Sequence, residues 1–222
     1  FPDVNHDLRF LLSRYPAAYQ VDRTRGTNPI IQELENMKDA GSLYGGIIYN
    51  KAPIVMRQLE QLAGEENLKR GLQEYLKKYS WGNARWDDLV AILEETAQKP
   101  LGEWSRMWVK EAGMPVIAPV ITEEEGYIIS FREDDPAGLL RHWPQTLKTM
   151  VITVTDTVTA DMEPADRDSR ITTADKPLCI IPDISGRAYG TFLLDSLSAG
   201  HLLSELPGMH DPLLKGIIWI NL

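Results

Sequence analysis

At Gly113-Met114-Pro115 the chain changes its hydrophobic period, and this break limits its possible folds more than any other feature. From residue 46 to 112 apolar residues recur at helical spacing. Val55, Leu59 and Leu62 follow Pro53, which suits a first helical turn because its missing N–H is not needed there, and Gly64 suits the cap that ends the stripe. Leu68, Leu72, Tyr75, Leu76 and Tyr79 form a second stripe, and Trp86, Leu89, Val90 and Leu93 a third, with Asn83 as its expected cap. Leu101, Trp104 and Trp108 form a fourth that stops at Gly113. Aromatic residues on such stripes read as core. Four short-looped amphipathic helices make a helical layer. Downstream, VIAPVITEEEGYIISF (116–131) reads as strand-prone runs around a turn at Glu125-Gly126, and TMVITVTDTVTADM (149–162) is rich in β-branched residues. PLCIIPDISG (177–186) and AYGTFLLD (188–195) add two more runs. No crossover helices intervene, so the pattern predicts a small antiparallel β-sandwich rather than a parallel sheet. From about Asp195 helical spacing returns with Leu197, Leu202 and Leu203, then Leu213, Leu214, Ile217 and Ile218. The fold class is α+β, divided at 1–112, 113–194 and 195–222.

Residues 1–40 are mixed in character. GTNPI at 26–30 reads as a turn, with Asn-Pro as its initiator, and a short helix is expected over Ile31–Met37. The start, FPDVNHDLRF, has neither an initiator methionine nor a basic stretch followed by an apolar one. The chain is therefore expected to begin inside a longer protein. No apolar run approaches the length of a membrane span. A net charge of −9 disfavours nucleic acid and anionic lipid as partners, since binding phosphates needs clustered Lys and Arg. The single cysteine, Cys179, cannot form an internal disulfide and, within PLCIIP, reads as a buried inert thiol.

The chain holds no complete catalytic constellation. His6, His142, His201 and His210 lack the three- or four-residue spacing of a helical two-histidine metal site. No G-x-S-x-G elbow is present. The acidic pairs Asp87/Asp88, Glu94/Glu95 and Asp134/Asp135 are adjacent, point in different directions on any regular element, and read as solvated surface charge. Gly45-Gly46 lacks the pattern of a phosphate loop. Tyr44 and Tyr49 remain. Taken alone, a tyrosine near a helix start packs or makes a structural hydrogen bond. Two features favour a site: Gly45-Gly46 permits close approach of another chain or a ligand, and a hydroxyl at a helix N-terminus sits in a partly positive field suited to an oxyanion.

Several stretches, taken in order, resemble the aminopeptidase N family of zinc metallopeptidases. They are Tyr-x-Lys opening a helix at Tyr49, then Leu59-Glu60 and Gly64-Glu65, then GLQEYLKKYSWGNARWDDLVAILEE (71–95), then WSRMWVKEAGMPVI (104–117). GTNPI is similar to the family's Ser-Ser-His-Pro-Ile turn, RHWPQTLKTMVITV (141–154) to its Trp-x-x-Pro strand, and DISGRAYGTFLLD (183–195) to its Asn-x-x-Gly-x-Tyr-Tyr strand. One position departs: the family has Gly after the Lys, and here Ala52 precedes Pro53.

The resemblance implies the helical C-terminal half of a thermolysin-like, gluzincin-type catalytic domain, then the sandwich, then the start of a C-terminal helical domain. It implies zinc as cofactor of the parent protein, peptide as substrate, and a missing N-terminal half of the catalytic domain as partner. The family's zinc ligands, His-Glu-x-x-His and a downstream Glu, are absent here, so this segment alone is expected to bind no catalytic zinc and cleave nothing. Tyr49 aligns with the catalytic tyrosine that hydrogen-bonds the tetrahedral oxyanion, and Tyr44 with a second tyrosine near the site. The alternative is a metal-free scaffold of the same kind serving as an interaction module. A second rival is a zinc peptidase relative that also hydrolyses epoxides.

Overall fold

The computed structural model describes residues 4–32, 38, 41, 45–164, 166 and 168–222. Its first helix, α1 (His6–Asp22), occupies the stretch that reads as mixed. Asn5 caps it by accepting a hydrogen bond from the Leu8 N–H at 2.9 Å. The buried face is Leu11, Tyr15, Ala18, Tyr19 and Asp22, one helical stripe that contains only one aliphatic side chain longer than alanine. The expected helix over Ile31–Met37 falls mostly on residues 33–37, outside the described ones.

A π-helical turn, Ile47–Lys51, runs directly into α2 (Ala52–Ala63), which ends at Gly64 with φ +85°. Ala52 continues the helix at φ −57°, ψ −44°, so its methyl needs no special backbone. Next come α3 (Glu65–Lys78) and α4 (Trp86–Ala97). They approach so closely that a Cβ on Gly71 would meet Leu93 Cδ2 at 2.6 Å. Arg85, not Asn83, begins α4, because the Asp88 carboxylate reaches back to the Arg85 N–H at 2.7 Å. Glu94 is likewise more than surface charge: its Oε1 accepts from the N–H groups of Leu101 and Gly102, opening α5 (Gly102–Ser105), which passes into a second π-turn, Arg106–Lys110.

The core of this layer holds Leu11, Tyr15, Ile54, Leu59, Leu93 and Trp108, joined by Trp143, Tyr189 and Ile217 from far downstream. The stripe on α3 is a partial miss. Leu68 packs on the core, but Leu72 and Leu76 are exposed, because Gly71 brings the α3 backbone, rather than a leucine, against α4.

The strand region forms two sheets. β1 (Val116–Glu124) and β2 (Gly126–Asp134) make the hairpin around the expected turn. The stretch 149–162 contains most of a second hairpin, β3 (Leu147–Ile152) with β4 (Thr157–Met162). β5 (Ile171–Thr173), β6 (Cys179–Ile181) and β7 (Thr191–Phe192) complete the orders β5-β2-β1-β7 and β4-β3-β6. Inward residues of both share one core: Ile117, Ile129 and Phe192 meet Leu147, Val151 and Ile180. The expected antiparallel sandwich is corrected at one edge. β7 pairs parallel to β1 over Val116↔Thr191 and Ile117↔Phe192, which is open to it because a long connection through the second sheet, not a hairpin turn, joins the two strands.

Asp135 corrects the reading of Asp134/Asp135 as solvated. Its side chain is 1% exposed and accepts from Arg141 Nε (2.9 Å) and Nη2 (3.0 Å) and from the Ala137 N–H (2.9 Å). The Arg141 guanidinium foremost holds its carboxyl down at about 2. A depressed folded-state pKa gives stability that is complete above the unfolded value near ~3.9 and is lost as pH falls through the folded one. Urea unfolding from pH 7 to 2 is expected to show a loss of about 2 kcal/mol between about pH 4 and 2 that Asp135→Asn lacks. Equal acid slopes in the two proteins would contradict this assignment.

The last helices are α6 (Ser196–Glu205), capped by Asp195, and α7 (Pro212–Asn221), capped by Asp211. α7 returns to α1, where a Cβ on Gly216 would meet Leu8 Cδ1 at 2.6 Å. Cys179 is fully buried, and burial pushes its thiol up to about 12, which keeps it protonated and unreactive. Among the described residues no helix is long and apolar enough to cross a membrane.

Candidate active site at the Tyr49 turn

The π-turn carrying Tyr49 forms because its backbone can lie almost on α1. A Cβ on Gly46 would sit 2.8 Å from Val21 Cγ2, so only glycine allows this approach. The Gly45-Gly46 pair thus admits a neighbouring helix of the same chain. The Tyr49 N–H donates to Gly45 O at 3.2 Å, and the Ala52 N–H reaches back five residues to Ile47 O. Tyr49 therefore stands in the first turn of the helical segment. Single π-turns of this kind recur at functional sites.

Two residues along a helix are rotated by about 200°, so the Tyr-x-Lys spacing sends its two side chains to opposite sides. Tyr49 is 54% exposed, and Lys51 is completely buried. Between them, Asn50 shares a clamp: Arg14 Nη1 on α1 donates to Tyr49 O at 3.0 Å and approaches Asn50 Oδ1 at 3.4 Å.

On the inner side Lys51 closes a circuit. Its Nζ lies 2.9 Å from Asp22 Oδ2 and donates to Gly113 O at 2.6 Å. The Gly113 N–H donates to Thr27 Oγ1 at 3.0 Å, and the Thr27 hydroxyl donates to Asp22 Oδ1 at 2.5 Å. Gly113 has φ +94°, a conformation that favours glycine, so the break point of the sequence is fixed by its backbone. Aromatic rings wall the circuit in. Tyr189 stacks on Tyr19 at 5.1 Å, meets Trp108 at 6.2 Å, and presents its face to Lys51 Nζ at 5.7 Å. Burial lowers the Lys51 ammonium from its ordinary range while the Asp22 carboxylate pulls it back up. Burial, then the nearby Asp22 charge, raises the Tyr189 phenol far above its usual value and keeps it neutral.

Of the two tyrosines singled out in the sequence, Tyr44 lies outside the described residues. A cleft of about 680 Å³ lies elsewhere, between α2 and the sandwich, with Gln58, Gln145, Asp161 and Arg187 on its walls, and Tyr49 does not line it. Among the described residues no group of three or more His, Cys, Asp or Glu could hold a metal. Among the described residues, then, no ligand set fits the zinc that the resemblance implies. Sequence reasoning missed Asp22 and the joint role of Thr27, Lys51 and Gly113. Each of the last three stands in a stretch that the resemblance singled out, which was the available signal.

A family model described as the peptidase family M1 domain matches residues 1–112. An aminopeptidase N of Streptomyces lividans is 38% identical over 123 residues, 54% of this chain and 14% of that protein. Aminopeptidase M1-D of Oryza sativa subsp. japonica is 31% identical over 134 residues, 60% of this chain and 15% of that protein. The tricorn protease-interacting factor F2 of Thermoplasma acidophilum is 26% identical over 148 residues, 64% and 18% of the two chains. The chain thus spans less than a fifth of the length of these curated relatives. With the matched half carrying the Tyr-x-Lys turn, the chain belongs to peptidase family M1, the aminopeptidase N family.

Proposed function

We propose that this chain supplies the tyrosine-bearing wall of an aminopeptidase active site, in a protein that hydrolyses N-terminal residues from peptides. One observation carries this: within the M1-matched residues, Tyr49 is 54% exposed in a helical first turn whose opposite side is locked into the core. The phenol donates a hydrogen bond to the oxyanion that forms as the peptide carbonyl becomes tetrahedral. The partly positive field of the first turn favours that charge. The bond strengthens in the transition state, so it accelerates reaction rather than merely holding substrate. Tyr44 is a second, weaker contact.

The zinc ligands of the family are not among the 222 residues, so the metal and the activated water belong to the N-terminal half of the catalytic domain, the partner this chain requires. Residues 1–112 are then the helical half of a thermolysin-like domain, 113–194 the sandwich and 195–222 the opening of a C-terminal helical domain. The end of the family match at residue 112 supports the first division.

The test compares the full-length protein with the 222-residue chain on peptides with free or acetylated N-termini. The full-length protein is expected to release residues from the free peptides only, and the chain alone to release none. Release by the chain alone, or equal cleavage of acetylated peptides, would overturn the assignment. No release by the full-length protein would favour the metal-free scaffold.

A further inference from the structure

We infer that the buried circuit of Asp22, Thr27, Gly113 and Lys51 is a positioning device that sets where the Tyr49 phenol stands. This rests on the proposed role of Tyr49 and adds residues to it. A buried ion pair is a poor source of stability, since apolar side chains of similar volume often serve as well or better. What the pair adds is geometry. Its members come from four separate places: the end of α1, the 26–30 turn, the junction at residue 113 and the Tyr49 turn itself. Lys51 Nζ is held at once by a carboxylate at 2.9 Å, a carbonyl at 2.6 Å and a ring face at 5.7 Å. A long, flexible side chain tied at three points fixes the backbone it hangs from. Tyr49 is two residues away on the opposite side of the same turn, so a shift of Lys51 moves Tyr49. Arg14 holds the outer edge of the turn through Tyr49 O, and the close contact of Gly46 with Val21 holds its start. The turn is thereby fastened along α1 at three points, with Tyr49 54% exposed on its outer side. A misplacement of about 1 Å in a catalytic group can cost about a hundredfold in rate.

The test uses the full-length protein and five variants. Lys51→Met leaves Asp22 buried without its cation and is expected to lower both the melting temperature and kcat. Lys51→Met/Asp22→Leu removes both charges, so it is expected to recover most of the melting temperature while kcat stays down by about a hundredfold and KM changes little. Thr27→Val breaks the circuit without touching either charge and is expected to lower kcat by about tenfold with the fold intact. In a Tyr49→Phe background the charge-removing pair is expected to cost no further kcat, because the group it positions has gone. Recovery of both stability and kcat in the double variant, or a full further loss in the Tyr49→Phe background, overturns the positioning role. Normal kcat in Tyr49→Phe itself instead removes the catalytic role on which it rests, so the two failures are distinct.

Discussion

Tyr49→Phe in the full-length protein is expected to lower kcat by about two to three orders of magnitude, or about 2.7–4 kcal/mol of transition-state stabilisation. KM and melting temperature are expected to change little. The reason lies in what the substitution leaves in place. Phe and Tyr have similar helix propensities, so the first turn into α2 is undisturbed. Lys51, on the opposite side, keeps its contacts with Asp22 and Gly113. The ring, 54% exposed, is kept by phenylalanine. Only the hydroxyl disappears, and its proposed bond forms to charge that develops during reaction. A loss confined to kcat is the signature of an interaction made in the transition state alone. Parallel losses in KM and stability would point to a structural hydroxyl.

The largest expected loss of stability is at Trp108. Its side chain is fully buried in the second π-turn, its Nε1 donates to Pro144 O at 2.7 Å, and its ring meets Tyr189 at 6.2 Å. Trp108 thus joins the helical layer to the segment leading into the second sheet. Trp108→Ala is expected to cost about 3–5 kcal/mol, through the cavity it opens and the carbonyl it leaves without a donor. That is a large share of the stability of an ordinary domain. Trp108→Phe keeps most of the volume and loses the hydrogen bond, so it is expected to cost less. Urea unfolding measures both, and a shift below about 1 kcal/mol for Trp108→Ala would mean that the two regions do not share this core.

The parts of the fold that were legible in the sequence are those fixed by local chemistry. The stripes of α2 and α4, the glycine that ends α2, the turn into β2 and the start of α6 at Asp195 all lie where spacing put them, although α4 opens at Arg85 and not at the expected Asn83. α1 was not legible, although its buried residues follow a regular helical spacing. Two of the five are tyrosines, one is alanine and one is Asp22, and Pro16 sits in the helix interior. A stripe that ends in a buried carboxylate makes sense only once its cation is known, and Lys51 lies far along the chain. The site shows the same division. Tyr-x-Lys was visible as a motif, but the opposite fates of its two side chains depend on contacts with α1 and residue 113. The exposed Leu72 and Leu76 on α3 illustrate the converse, since period alone does not say which of several apolar residues a close glycine contact will leave outside.

The proposed role of Tyr49 is tested most directly by the affinity of a tetrahedral phosphinic peptide analogue for the full-length protein and for Tyr49→Phe. The analogue carries its negative oxygen where the oxyanion forms, so it reports that one contact without turnover. The expected result is that its affinity falls by about the same factor as kcat/KM, while a ground-state peptide binds both proteins alike. Equal affinity of the analogue for the two proteins, with turnover reduced or not, would contradict a phenol that holds the oxyanion.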